Sequence, residues 1–373
     1  MKIQMVDVRR QYLKYKDEID GAVSRVIESG QFINGPDVHK LAEDMQRYLG
    51  VKHAIPCASG TDALQLALMA LDIGPVDEVI TTPFTFVATA ETIAILGAKP
   101  VYVDIDEKTF NINPELIENV ITEKTKAIIP VHLYGQTADM DPIVEIACKH
   151  EIAVIEDAAQ AVGESYKGKK VCSLGLMGCI SFFPSKNLGA YGDAGMVVCQ
   201  NDAIAEKVRV IANHGSKARY YHDLLGVNSR LDSIQAAILR VKLNYLDEWN
   251  RQRREHAQYY SQGLSGSRVT TPEIASYADH IFHQYTIVVN EGRDELQKFL
   301  NEKEIPNAIY YPIPLHLQVA YRDKYGYRKG DFPVSERLAE KVISLPMHPD
   351  LTREEQDYII KVICEFLKQQ GEK

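Results

Sequence analysis

Three short segments concentrate side chains that could do chemistry. Ser181-Phe182-Phe183-Pro184-Ser185-Lys186-Asn187-Leu188-Gly189 sets one lysine among apolar and small residues. Desolvation there lowers a lysine's pKa, as an amine nucleophile forming a Schiff base requires. The flanking Phe182, Phe183 and Leu188, with Gly189, Gly192 and Gly195 following, argue for a crowded site rather than a solvated face. In Val154-Ile155-Glu156-Asp157-Ala158-Ala159-Gln160 two acids close an apolar run, so at least one carboxylate needs a cation or a strong donor. A pyridinium nitrogen would serve; so would a plain strand-end role in which the acid caps the next helix. Ala58-Ser59-Gly60-Thr61-Asp62-Ala63 joins an apolar run to a helical pattern, where free backbone N–H groups make an anion site. An ordinary turn with a Ser or Thr N-cap explains that hexapeptide equally well.

Together, an anion-binding turn, an acid and a lysine, each following an apolar run, form the kit for pyridoxal 5'-phosphate. That cofactor needs a phosphate cup, an acid at its ring nitrogen and a Schiff-base lysine. A nicotinamide cofactor is the rival for such a chain. No G-x-G-x-x-G follows the first strand, and Gly189-Ala-Tyr-Gly192-Asp-Ala-Gly195 has the wrong spacing.

These segments need a frame that presents strand ends. From about residue 50 to 215 short β-branched runs alternate with amphipathic stretches. HAIPC leads into TDALQLALMAL, DEVITTP into TFVATAETIAILG, KPVYVDID into PELIENVI, and KAIIPVHLYG into MDPIVEIACKH. IAVIEDAAQ, MGCISFFP and AGMVVCQ bring the strands to seven, with AIAEKVRVIANHG as the next helix. The pattern predicts an α/β fold: a mostly parallel seven-stranded sheet with helices on both faces and ligands at the carboxyl ends of its strands. Past Gly215 a Tyr/Arg/His-rich loop runs into one long helical pattern from Ser233 to about Arg254. HQYTIVV (strand), RDELQKFLNEKE (helix), NAIYYP (strand) and REEQDYIIKVICEFLKQQ (helix) then suit a smaller α+β domain. The expected division is an N-terminal helix, 1–30, packing on the small domain, a large cofactor-binding domain, 31–245, and the small C-terminal domain, 246–373.

Length and composition suit this frame. The 373 residues are 45% hydrophobic and 25% charged, with 42 Lys plus Arg against 51 Asp plus Glu. The net charge of −9 argues against a nucleic-acid partner. Six cysteines contain no C-x-x-C pair, so no metal site is expected, and Cys172 and Cys179 read as ordinary buried thiols. No N-terminal apolar leader and no run of about eighteen apolar residues occurs, so a cytoplasmic protein with no membrane span is expected.

At these residues the chain resembles the sugar aminotransferases of the DegT/DnrJ/EryC1/StrS family, fold-type I pyridoxal-phosphate enzymes acting on nucleotide-linked keto sugars. The matching blocks are GQFINGPDV, ASGTDALQLAL, TTPFTFVATAE, PVHLYGQTADMDPI, VIEDAAQAVGESYKGKKV, SFFPSKNLGAYGDAG, GVNSRLDSIQAAIL and YYPIPLHLQ. The resemblance implies that Lys186 is both Schiff-base lysine and proton shuttle, that Asp157 holds the ring nitrogen protonated, and that Gln160 bonds the ring hydroxyl. It places Phe86 on the ring face and Gly60, Thr61 and Ser181 at the phosphate. Asn228 would reach the phosphate of the neighbouring subunit's site, so a homodimer with shared active sites is implied. L-glutamate is the implied amino donor.

The blocks HQYTIVV, AIYYPIPLHLQ and SLPMHP look most like 3-aminotransferases of UDP-2-acetamido-2-deoxy-3-keto-hexoses or hexuronates, whose products serve surface polysaccharide such as lipopolysaccharide. Tyr310, Tyr311 and His316 would then line the sugar side, Phe32 and Asn34 the rim, and Arg230 from the partner could pair with a uronate carboxylate. Lys217, Arg219 and Arg230 are candidates for the nucleotide diphosphate or for interface ion pairs. The rivals are a dTDP-3-keto- or 4-keto-6-deoxyhexose aminotransferase, a dehydratase relative, which would carry histidine in place of Lys186, and a pyridoxal-phosphate-binding regulatory protein. His53, His150 and His280 read as structural or solvated. Trp249 reads as packing, and the charge run KLNYLDEWNRQRREH as a solvated helix face.

Overall fold

The computed structural model describes residues 3–371. Seven strands form the main sheet: β1 His53–Cys57, β2 Glu78–Thr81, β3 Lys99–Tyr102, β4 Thr125–Ile128, β5 Ala153–Asp157, β6 Met177–Ser181 and β7 Gly195–Cys199. Their order is β1-β7-β6-β5-β4-β2-β3. β7 is antiparallel to both neighbours, and every other adjacent pair is parallel. Every strand comes from one of the seven runs marked in the sequence.

The helices in chain order are α1 Val8–Lys14, α2 Lys16–Ser29, α3 Pro36–Leu49, α4 Gly60–Ala70, α5 Ala88–Ile95, α6 Met140–Lys149, α7 Asp202–Ala212, α8 Ser233–Leu243, α9 Leu246–Gly263, α10 Arg293–Glu302, α11 Val319–Tyr325, α12 Pro333–Ala339 and α13 Arg353–Gly371. Side-chain alternation along the strands sorts the core onto two faces. Ile55, Val197 and Met177 pack with Leu64 of α4 and Val208 of α7. Ala54, Val198 and Ile180 pack on the other face with Leu41 of α3 and Leu239 of α8. Burial on both sides explains why β6 and β7 are apolar or small at nearly every position rather than alternating.

A second, antiparallel sheet has the order β8 Val269–Thr270, β9 Tyr285–Val289 and β10 Val342–Leu345. Leu296 and Leu300 of α10 and Ile359 and Ile363 of α13 cover it, and Ile3 joins the same core. The N-terminal stretch divides its contacts. Ala22 and Val26 of α2 pack on Ala237 of α8, whereas Arg10 of α1 pairs with Glu355 at 2.9 Å.

Four local expectations need correction. The helical pattern from Ser233 is two helices, broken at Asn244–Tyr245, where Asp247 and Glu248 favour a fresh N-terminus. PELIENVI forms two single 3-10 turns, because Ile117, Val120 and Ile121 are β-branched and the stretch is short. NAIYYP is not a strand: Pro306, Pro312 and Pro314 deny it ladder donors, and one bridge, Ala308 to Ser344, remains. The Tyr/Arg/His-rich loop contains a small hairpin, Ser216–Ala218 against Tyr221–His222.

Candidate active site

The carboxyl ends of β1, β5 and β6 open on one cavity of about 390 Å³. After β1, Ser59 sits in extended backbone and its hydroxyl accepts from the Asp62 N–H at 3.0 Å, capping α4. The N-cap account of this turn is met, and it leaves room for the anion-site account. Capping engages the Asp62 N–H, while the N–H groups of Gly60 and Thr61 open the helix with no intrahelical acceptor, at its positive end. Gly60 is required by packing, since a Cβ there would lie 2.6 Å from Ser181 Cβ. Ser181 ends β6 and lines the same cup.

β5 separates its two acids by alternation. Glu156 turns into the interior, where its oxygens accept from the backbone N–H of Cys172, Leu174 and Gly175 at 2.7–2.8 Å and from His132 Nε2 at 3.0 Å. His132 Nδ1 accepts from the Ala138 N–H, which leaves Nε2 as the donor. Asp157 lines the cavity and is buried, held by Thr89 Oγ1 at 2.8 Å and the Ala159 N–H at 3.2 Å. Burial pushes its pKa up; the Thr89 and Ala159 hydrogen bonds and the Lys186 charge oppose that. No ion pair neutralises it among the described residues, so the site has the place for a protonated ring nitrogen. The free helix N–H groups supply a matching place for a phosphate.

Lys186 retains a path to solvent through the cavity mouth, yet its amine is surrounded by protein atoms. Desolvation lowers its pKa to about 8, against the opposing pull of Asp157. The crowding differs from the expected one. Phe182 and Leu188 point into the core beneath, and only Phe183 of the three reaches the cavity. Gln160 Oε1 accepts from the Tyr134 N–H at 2.7 Å, which fixes the amide so that Nε2 donates, here to Tyr311 Oη at 3.1 Å. Phe86, Tyr310 and Tyr311 complete the lining.

Not every expected residue arrives. His316 is 0% exposed: the turn after Pro314 tucks it against Phe332, and its Nε2 meets Glu336 at 2.9 Å. It is a buried packing residue and does not line the sugar side. Asn228, Arg230, Phe32 and Asn34 lie outside their own chain's cavity. Asn228 and Phe32 are exposed, and Phe32 O accepts from the Ser233 N–H, so the two segments are neighbours. Lys217 and Arg219 are exposed on the hairpin, Arg219 over the Tyr220 ring. Trp249 is core packing with Tyr15 and Tyr245.

The charge run hides residues that hold the site. Lys242, Asn250 and Arg253 are buried. Lys242 Nζ donates to Gly189 O, Asn250 accepts from Asn187 at 2.7 Å, and Arg253 donates to Phe282 O and His283 O. Their signal was present: Asn250 and Arg253 share helical spacing with Leu246, Trp249, Ala257 and Tyr260, the apolar stripe of α9. Asp247, Glu248, Arg251 and Glu255 do behave as the solvated face, Arg251 pairing with Glu248 and Glu255. Thr89 and His283 also went unrecognised, because nothing local marks a threonine or a histidine as facing a cavity. Among the described residues no helix is long and apolar enough to cross a membrane.

Comparison with known proteins agrees with this geometry. The model of the DegT/DnrJ/EryC1/StrS aminotransferase family matches residues 14–364. A protein named pleiotropic regulatory protein, from Geobacillus stearothermophilus, is 52% identical over 99% of both chains. The UDP-2-acetamido-2-deoxy-3-oxo-D-glucuronate aminotransferase of Pseudomonas aeruginosa is 48% identical over 98% of this chain and 99% of that one. Transaminases of dTDP-sugars match at 39% and 43%. Among solved structures, Streptomyces venezuelae DesV, in complex with a ketimine intermediate, superposes with a TM-score of 0.95 at 38% identity over 98% of both chains. A lysine and an acid lining one cavity beside a helix N-terminus, in a chain matched from residue 14 to 364, make this protein a member of the DegT/DnrJ/EryC1/StrS aminotransferase family, a pyridoxal-phosphate-dependent sugar aminotransferase.

Proposed function

We propose that the enzyme moves an amino group from L-glutamate to carbon 3 of a UDP-linked 2-acetamido-2-deoxy-3-keto-hexose or hexuronate. The observation that carries the catalytic part is the desolvated Lys186 amine sharing one cavity with an Asp157 that forms no ion pair among the described residues. The substrate class is supported by 48% and 47% identity to relatives named for UDP-3-keto-sugars, above the values for the dTDP-sugar relatives.

Pyridoxal phosphate, when bound, supplies a carbonyl and an electron-withdrawing ring. The chain's residues do the rest. With a pKa of about 8, Lys186 exists in both protonation states near neutral pH, so it can take a proton from the amino donor's carbon and give one to the sugar carbon. Asp157, its charge favoured by the Thr89 and Ala159 donors, holds a proton on the ring nitrogen. Gly60 and Thr61 offer N–H groups to the phosphate, with Ser181 beside them, and Gln160 offers its oriented Nε2 to the ring hydroxyl. Phe86, exposed toward the cavity, covers a ring face.

In this reading two copies share their sites: Asn228 of the partner subunit joins the phosphate cup, and the partner subunit's Arg230 meets a uronate carboxylate. Phe32 and Asn34, beside that segment, reach the rim across the interface. Support comes from Tyr220, Tyr221 and Leu225, which are 78%, 72% and 93% exposed in the single chain and form the kind of apolar surface that a partner covers. Mixing Asn228→Ala and Lys186→Ala chains is expected to recover part of the activity each lacks alone; full activity in a monomer rules sharing out. The substrate is tested with pyridoxamine-form enzyme given UDP-2-acetamido-3-keto-glucuronate, its neutral hexose analogue and a dTDP-3-keto-6-deoxyhexose. The first or second is expected to be aminated fastest, and preference for the dTDP-sugar overturns the substrate.

A further inference from the structure

We propose that a side chamber next to Lys186 receives the 2-acetamido group of the sugar, so that His283, Gln284 and Val6 select sugars carrying it; this rests on the UDP-2-acetamido-3-keto-sugar reading above. The chamber measures about 40 Å³. One side is apolar: Met5, Val6, Leu345 and Met347. The other side consists of Ser185, His283, Gln284 and Tyr310, all of which also line the main cavity, so the two spaces adjoin.

Size, position and polarity agree. About 10–15 Å³ on this measure holds one water. The chamber therefore takes about three such groups, matching the carbonyl carbon, oxygen and methyl of an acetyl group. The acetamido nitrogen sits on the carbon adjoining the one that Lys186 protonates, and Ser185 adjoins Lys186.

The polar side is set by a directed chain of amides. Asn250 Nδ2 donates to Val162 O at 3.3 Å, so Asn250 Oδ1 is the atom that accepts from Asn187 Nδ2 at 2.7 Å. Asn187 Oδ1 is then the acceptor facing His283 Nδ1 at 3.2 Å, and that nitrogen must carry the hydrogen. His283 Nε2 is left as a bare acceptor. Burial and the charges of Lys186 and Arg253 keep the ring neutral, holding its pKa well below the usual histidine value. Gln284 is 9% exposed and closes the polar side, its Oε1 enclosed and without a hydrogen-bond partner among the described residues. An acceptor beside an apolar wall complements an amide N–H with a methyl beyond it, and Ser185 or the Gln284 amide nitrogen can donate to the acetyl oxygen. A hydroxyl at carbon 2 would leave the apolar wall facing solvent-sized space.

The test compares kcat/KM of the holoenzyme for UDP-2-acetamido-3-keto-glucose and UDP-3-keto-glucose, which carries a hydroxyl at carbon 2. Wild type is expected to favour the acetamido sugar by about tenfold or more, the scale on which pockets discriminate such groups. Val6→Phe, in an irregular segment, fills the chamber and is expected to bring the ratio to within about twofold of unity. Gln284→Leu, which leaves the chamber open, is expected to reduce it severalfold. Val6→Ala should raise the relative rate on a 2-propanamido analogue. A wild type favouring the acetamido sugar with a ratio unmoved by both Val6→Phe and Gln284→Leu overturns the chamber alone. A wild type preferring dTDP-3-keto-6-deoxyhexose overturns the chamber together with the substrate reading on which it rests.

Discussion

The two walls of the active-site cavity are built on different principles. The wall carrying Gly60, Asp157, Ser181 and Lys186 consists of residues at or just after the ends of β1, β5 and β6. Asp157 and Ser181 are aimed by the ladder they end, Gly60 is fixed by its close approach to Ser181, and Lys186 by the turn in which its N–H donates to Phe183 O. The wall carrying His283, Gln284, Tyr310 and Tyr311 comes from the entry to β9 and from a proline-rich irregular stretch. Those residues are held by other side chains: Asn187 and Arg253 for His283, Gln160 for Tyr311. The difference teaches that one wall rests on the sheet, while the wall proposed above to recognise the sugar rests on side-chain packing.

The largest expected effect breaks the first wall. Lys186→Ala should lower the glutamate half-reaction, followed by absorbance of the bound cofactor, by about 10²–10⁴-fold or more, while still binding the cofactor non-covalently. Turnover near the wild-type rate removes Lys186 from its role. Asp157→Asn takes a charge-assisted hydrogen bond from the ring nitrogen, a loss of about 1.5–3 kcal/mol or roughly 10- to 150-fold in the same assay.

The same pair can be sharpened by pH. A lysine whose pKa is lowered to about 8 is protonated below that value and nucleophilic above it. Covalent capture of pyridoxal phosphate by the cofactor-free protein should therefore accelerate from pH 6 and level off above about 8. Asp157 opposes the lowering, so Asp157→Asn should move that midpoint down. A midpoint near the ordinary lysine value contradicts the desolvated setting.

Smaller effects test what holds each wall. Thr89→Val keeps shape but removes the 2.8 Å donor to Asp157, and about 1 kcal/mol, or roughly fivefold, is expected in the glutamate half-reaction. His316→Leu should leave the KM of the keto sugar within about twofold while lowering the melting temperature, because that ring packs and pairs with Glu336 away from the cavity. A large change in KM would return His316 to the sugar wall.

How far each wall could be read follows from how it is positioned. The seven strands and the residues after them were legible because alternation and burial are local properties of β-structure. The turn at Ser59 to Thr61 was legible as a cap, which the Ser59–Asp62 hydrogen bond bears out, and as an anion site, for which the Gly60 and Thr61 N–H groups stay available. Glu156 and Asp157 were legible as a pair needing donors, but not in their division of labour, since the three backbone N–H groups around Glu156 belong to residues 172–175. Asn250 and Arg253 were misread as solvated because charge was weighed above spacing, although their positions follow the apolar stripe of α9. NAIYYP read as a strand from its aromatic and β-branched content, and its prolines prevailed.

The sequence by itself determined the sheet, the order of its strands along the chain, the turn that offers N–H groups, and the lysine and the pair of acids that follow or end its strands. Those depend on residues a few positions apart, whose relative placement the backbone geometry dictates. Tertiary structure alone decided that His316 turns away, that the amides of Asn250 and Asn187 orient His283, and that Val6 and Met347 enclose a chamber beside Lys186. Such contacts join segments far apart in the chain, and their distances are set by how helices and sheets pack rather than by any local pattern.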